Sequence, residues 1–261
     1  MRTPVFDRYV GVDYSGAKTP DASLKGLRVY EAARDREATE VLPVPGSRRY
    51  WSRIDLAHWL VTRLSDNVPT IVGIDHGFSF PMRYFETHHL APDWPSFLMD
   101  FHAHWPTDQR GVYVDFVRNG SRGNGRIRTG SARWRRLAEQ RTRAKSVFHF
   151  DVPGSVAKST HAGLPWLLYL RQQLGARTHF WPFDGWDVAA GQSVITEIYP
   201  SLWNRQYPAQ GRTPDQHDAF VVASWLRQMD QQGSLARYFS PQLAPHEQGI
   251  AQIEGWILGV M

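Results

Sequence analysis

Two short segments of this chain share one pattern, Val10-Gly11-Val12-Asp13 and Val72-Gly73-Ile74-Asp75. Each is an apolar run, too short for a helix, that stops at an aspartate, and each reads as a buried strand. Between them, residues 49–64 place Trp51, Ile54, Ala57, Leu60, Val61 and Leu64 at helical spacing. A strand reached through such a helix pairs parallel to the first by a right-handed crossover. In open α/β sheets the ligand crevice lies outside the carboxyl ends of the strands, where the two aspartates would converge. The glycine two residues before each aspartate leaves room for close backbone approach.

The remaining pattern extends this core. Residues 9–12, 27–32 and 40–44 read as three strands with short connections, hence an antiparallel meander, the third closed by Pro43 and Pro45. Residues 70–74 and 193–198 read as two further strands, the latter carrying Glu197. Residues 214–229 read as a helix opening on Pro-Asp, with Ala219, Val222, Ala223 and Leu226 on its apolar face, and residues 246–258 as a last helix. The stretch 78–191 contains a basic helix near 132–145, an apolar helix near 164–174 and a Gly- and Arg-rich loop at 118–130. The expected fold is α/β: a mixed five-stranded sheet, three strands antiparallel and two parallel, flanked by helices. Residues 1–261 form one domain, with a large, mostly helical insertion at 78–191.

Composition narrows the chemistry. Of 261 residues, 42% are hydrophobic and 21% charged, which suits a packed core rather than disorder. There is no cysteine, which excludes disulfides, thiolate metal sites and a cysteine nucleophile and fits a cytoplasmic protein. No apolar window reaches the roughly 18 residues of a membrane span, and the first residues carry no apolar leader core. The net charge of +5 is uneven: residues 118–145 hold ten basic side chains against one acid, Glu139. That excess reads as an anion-facing patch with nucleic acid as partner, Arg128, Arg133, Arg136, Arg143 and Lys145 being the candidate phosphate contacts. The alternative is a solvated basic face. Trp134, set between arginines, would stack on a base or anchor the basic helix.

The acids form the candidate reactive centre. Asp13 and Asp75 end strands, and Asp215 and Asp218 share one face at a helix start. Strand alternation sets Glu197 opposite Thr196 and Ile198, which allows an interior carboxylate. Converging carboxylates without cysteine suit a hard cation, Mg²⁺ or Mn²⁺. Three or four of them can hold two ions about 4 Å apart that clamp a phosphodiester. Other signals carry less. Residues 154–159 fail as a phosphate loop because the required glycines are missing at 152 and 157. His88, His89, His102 and His104 lack a metal-binding spacing.

The blocks GVDYSGAK, IVGIDHGFSFP, VITEIYPSLW, DQHDAFVVASWL and EGWILG are spread over nearly the whole chain. Together they resemble a domain-of-unknown-function family of predicted nucleases with the RNase H-like fold. That resemblance implies two-metal hydrolysis of nucleic acid. It matches the first-strand acid to Asp13, the fourth-strand acid to Asp75 and the final-helix acid to Asp218, with Asp215 or His217 in support. RuvC-type junction resolvases place their acids in the same way. Two other readings stay open: an actin- or sugar-kinase-like phosphotransferase, through Asp13-Tyr14-Ser15-Gly16 and Asp75-His76-Gly77, and a catalytically inactive nucleic-acid-binding module.

Overall fold

Asp13 and Asp75 end up side by side because their strands are parallel neighbours in a mixed sheet. In the computed structural model, which describes residues 5–44 and 48–261, β1 (Arg8–Asp13), β2 (Arg28–Ala33) and β3 (Thr39–Glu40) form the antiparallel meander. Helix α1 (Arg53–Leu64) then returns the chain to β4 (Thr70–Asp75), which pairs parallel to β1. Pro45, expected to close the third strand, lies outside the described residues, as do residues 1–4. The end of the stretch expected as an insertion supplies β5 (Thr178–Trp181), and β6 (Ser193–Ile198) follows it; both add parallel strands, giving the order β3-β2-β1-β4-β6-β5. A short β7 (Ile257–Leu258) pairs with the end of β6.

The sheet therefore has seven strands rather than five. Both additions are short, so neither offers enough residues for a period to be read. The C-terminal helix expected over 246–258 is α9 (Pro245–Glu254), and it stops where Gly255 takes φ +81°. Residues 257–258 belong to the sheet instead.

Strand alternation sorts the side chains into two cores. Val10, Val12, Val72 and Ile74 join α1 and the insertion helices α3 (Trp94–His104) and α6 (Ala157–Leu174) in one continuous cluster. Tyr9, Ile71, Val194 and Ile198 pack against α7 (Pro214–Gln231), α8 (Leu235–Tyr238) and α9 on the other face. The shorter helices α2 (Met82–Thr87), α4 (Val114–Arg118) and α5 (Leu137–Thr142) cross the insertion.

Local chemistry explains the shifted boundaries. Helix α1 begins at Arg53 rather than at residue 49 because Ser52 caps it, accepting from the Asp55 N–H at 3.1 Å. Helix α6 starts seven residues before the expected position. It is buried on nearly every side, so it shows no apolar stripe. Pro165 within it cannot donate to the His161 carbonyl; the Thr107 hydroxyl does so instead at 2.7 Å. The basic helix shrinks to six residues: Arg136 is extended at its start, and Arg143 ends it with φ +57°.

Candidate functional site

The register between β1 and β4 sets Asp13 directly opposite Asp75, and Gly11 opposite Gly73. Neighbouring strands lie about 4.8 Å apart, so two carboxylates emerge level at the carboxyl edge of the sheet. The glycines serve a helix rather than a ligand. A Cβ on Gly11 would sit 2.2 Å from the Ala219 carbonyl oxygen and 2.7 Å from the Ala223 nitrogen; one on Gly73 would sit 2.8 Å from Val222 Cγ1. The repeated glycine thus lets α7 lie directly on both strands. Its N-terminal end then hangs over the two strand ends, with Asp215 in the first turn and Asp218 one turn further in.

Helix α7 is fixed at this end. Thr213 and Gln216 form a reciprocal cap, and Gln216 Nε2 also donates to Glu40 Oε2 at 2.8 Å, tying the helix to β3. Arg28 holds the same Glu40 at 2.9 Å. His217 turns away: its Nε2 meets the Asn204 carbonyl at 2.9 Å.

The electrostatics reflect the convergence. Burial holds the Asp13 carboxyl well above its ordinary range, and Asp75, Asp215 and Asp218 raise it further against a small opposing effect of Arg28. Burial does the same to Asp75, reinforced by Asp218 and Glu197. Asp218 is raised by burial, with His217 and Asn204 opposing. Among the described residues, no Lys, Arg or His side chain forms an ion pair with these three carboxylates. The donor set is oxygen only, half-buried and short of positive charge, which fits a hard divalent cation in kind. Among the described residues, however, no three His, Asp or Glu side chains close on one ion-binding geometry.

Glu197 does not join this set. It pairs with Ile74, one step short of Asp75, and alternation points it to the opposite face. Arg136 grips it bidentately at 2.6 and 2.7 Å, and the Phe78 N–H donates to it at 3.0 Å. Arg136 is 1% exposed and also binds Glu139 at 2.9 Å. This corrects two sequence expectations. Glu197 is a structural anchor of the cleft floor, and Arg136 is an interior cation rather than a phosphate contact.

The other basic candidates divide. Arg128 is clamped by Asp100 at 2.7 and 2.9 Å. Arg133 and Arg143 are exposed, but the short α5 does not set them on one helical face with Arg136. Lys145 and the buried Arg136 line a cleft with Asp75, His76, Glu197 and Tyr199, and of the five candidates these two share a cavity with a strand-end aspartate. Trp134 is half-buried against Phe148. Of the histidines near α3, His102 pairs with Asp108 at 3.1 Å.

Sequence reading used the residue after each aspartate only in the phosphotransferase reading and gave it no part in the carboxylate site. Tyr14 and His76 follow Asp13 and Asp75, turn inward and meet edge to face, ring centroids 4.6 Å apart. Burial lowers the His76 pKa to about 4, so its ring is neutral at pH 7. The matched registers of the two strands were the available signal.

Comparison with family models, curated proteins and solved structures found no match to this chain.

Proposed function

We propose that this chain is a divalent-metal-dependent nuclease of the RNase H-like type, hydrolysing phosphodiester bonds of DNA or RNA. The observation that carries the reading is the level pairing of Asp13 with Asp75 under the acidic first turn of α7. An antiparallel meander followed by parallel strands is the order such a fold requires, and the comparison rests on analogy of fold.

Asp13, Asp75 and Asp218 would hold Mg²⁺ or Mn²⁺, with Asp215 beside them. A bound ion would supply Lewis-acid polarisation of the phosphodiester. The carboxylates orient and charge-balance that centre, and their raised affinity for protons makes acid a competitor of the ion. Lys145 faces the same cleft and is placed to take a phosphate oxygen. Arg133 and Arg143 lie outside it, as neutralisers of flanking phosphates. Arg136 holds Glu197 and so keeps the cleft floor in place.

The test is Mn²⁺-dependent cleavage of labelled single- and double-stranded DNA and RNA by wild type and Asp13→Asn. Cleavage that disappears in a folded Asp13→Asn protein is expected; undiminished turnover in that variant would sink the assignment. One observation favours a second reading, the catalytically inactive nucleic-acid-binding module: the carboxylates do not close around a single ion position. On that reading Mn²⁺ would not bind, and nucleic-acid affinity would be the same in Asp13→Asn. The phosphotransferase reading needs two copies of the core, whereas the described strands form one sheet.

A further inference from the structure

Helix α4 and the loop that follows it fold back on themselves. The Arg122 N–H donates to the Phe116 carbonyl at 3.0 Å, and the Asn124 N–H donates to the His104 carbonyl at the end of α3 at 2.9 Å. Val117 is buried beneath, and a Cβ on Gly125 would sit 2.6 Å from its Cγ1. Gly120 takes φ +84° and lies against the Arg126 side chain. Two large apolar side chains and two cations are left outside. Phe116 is 41% and Ile127 52% exposed, and Arg122 and Arg126 are exposed in the same unit. Neither arginine forms an ion pair among the described residues, whereas Arg118 and Arg128 pair with Asp151 and Asp100. No acid occurs between Asp115 and Glu139 to offset them.

Lys158 connects this unit to the strand ends. Its Nζ donates to Asp115 Oδ2 at 2.7 Å, and its backbone lies on the segment leaving Asp13, where a Cβ on Gly16 would sit 2.2 Å from the Lys158 carbonyl oxygen. Uncompensated cations call for an anion, and an exposed aromatic ring calls for a flat apolar face. A nucleic-acid single strand offers both in each nucleotide: its phosphates meet guanidinium groups, and an unpaired base lies on a ring. In a duplex the base faces are covered by their neighbours, and freeing one costs unstacking energy. We propose that α4 and its loop are a docking surface for single-stranded nucleic acid, held by stacking on Phe116 and by Arg122 and Arg126. That surface serves the nuclease reading, on which it rests, and selects the form of its substrate.

Fluorescence anisotropy in EDTA, where nothing is cut, compares a short labelled strand with the duplex of the same sequence. The single strand should bind the full chain more tightly. Phe116→Ala should weaken that binding by roughly 5- to 150-fold, the loss of one stacked base, and leave the duplex unchanged, while Phe116→Tyr keeps the ring and the affinity. Arg122→Gln with Arg126→Gln should lower the slope of log affinity against log salt by about 0.7 per lost phosphate contact, a slope that Phe116→Ala does not alter. The proposal is overturned if the duplex binds as tightly as the strand, if Phe116→Ala binds the strand like wild type, or if the double arginine variant keeps the slope. Should Phe116→Ala not fold, the strand–duplex comparison and the arginine variant decide alone. Mn²⁺ separates the two readings. Mn²⁺ bound by wild type and lost in Asp13→Asn, with no strand binding, overturns this surface alone. Strand binding that depends on Phe116, without Mn²⁺-dependent cleavage, upholds it and overturns the nuclease reading.

Discussion

Replacing Gly11 by alanine should separate the acidic helix from the strand ends it covers. The added methyl would lie 2.2 Å from the Ala219 carbonyl oxygen and 2.7 Å from the Ala223 nitrogen. Both are backbone atoms in the middle of α7, so no side chain can swing aside. Reaching ordinary contact requires the helix to retreat by about 1 Å, and overpacking of this kind costs about 1–3 kcal/mol. The upper end applies because the obstacle is backbone. Alanine recovers about 0.5–1 kcal/mol of the entropy that glycine loses in a strand. The net loss is about 2 kcal/mol, or roughly 4–8 °C in melting midpoint for a chain of this size. The control is Gly249→Ala on the exposed side of α9, where nothing lies within 4 Å of the new methyl. That change should stabilise by about 1 kcal/mol. Thermal and urea unfolding of both variants give the comparison. Because α7 carries Asp218, any Mn²⁺-dependent activity of Gly11→Ala should fall by roughly a hundredfold, the usual cost of a 1 Å misplacement. A Gly11→Ala protein that melts with wild type, while Gly249→Ala behaves as expected, would show that α7 does not rest on β1 in this way.

Other outcomes follow from the same geometry. Asp75→Asn, measured in EDTA at pH 8, should be more stable than wild type by about 1 kcal/mol, since it removes a buried like charge. A carboxyl whose folded pKa is raised costs stability above that pKa, and the cost disappears as pH falls toward the unfolded value. The advantage of Asp75→Asn should therefore vanish below about pH 4; an advantage that persists there would mean it has another origin. Arg136→Met leaves Glu197 and Glu139 buried without their cation and should cost roughly 3–5 kcal/mol in urea unfolding. A loss under 1 kcal/mol would contradict the interior placement of Arg136. If Arg133, Arg143 and Lys145 contact phosphates, changing all three to Ala should flatten log affinity against log salt by about 0.9 per lost contact on duplex, or about 0.7 on single strands. An unchanged slope would mark them as solvated.

Much of the sheet was legible in the sequence because its strands are short apolar runs with turn chemistry at their ends. Residues 9–12, 70–74 and 193–198 lie within or coincide with observed strands, and the helix expected at 214–229 begins at the observed residue and runs two further. The strand-end aspartates and the acidic helix start were legible for the same reason: a carboxylate interrupting an apolar pattern stands out locally. The insertion was not legible. Helix α6 is buried on nearly all sides and so has no period to read, and β5 and β7 are too short to have one.

Pattern and composition alone determined the strand and helix content of the core, the matched pair of acids and the location of the basic excess. Tertiary structure decided which charges face one another. Only packing shows that Arg136 leaves the basic segment for the interior and binds Glu197, because an ion pair between residues 61 apart leaves no mark on local pattern. Only packing shows that Gly11 and Gly73 are spaces for α7. Glycine is read from sequence as backbone freedom, while its missing side chain has meaning only against the atoms of a distant segment.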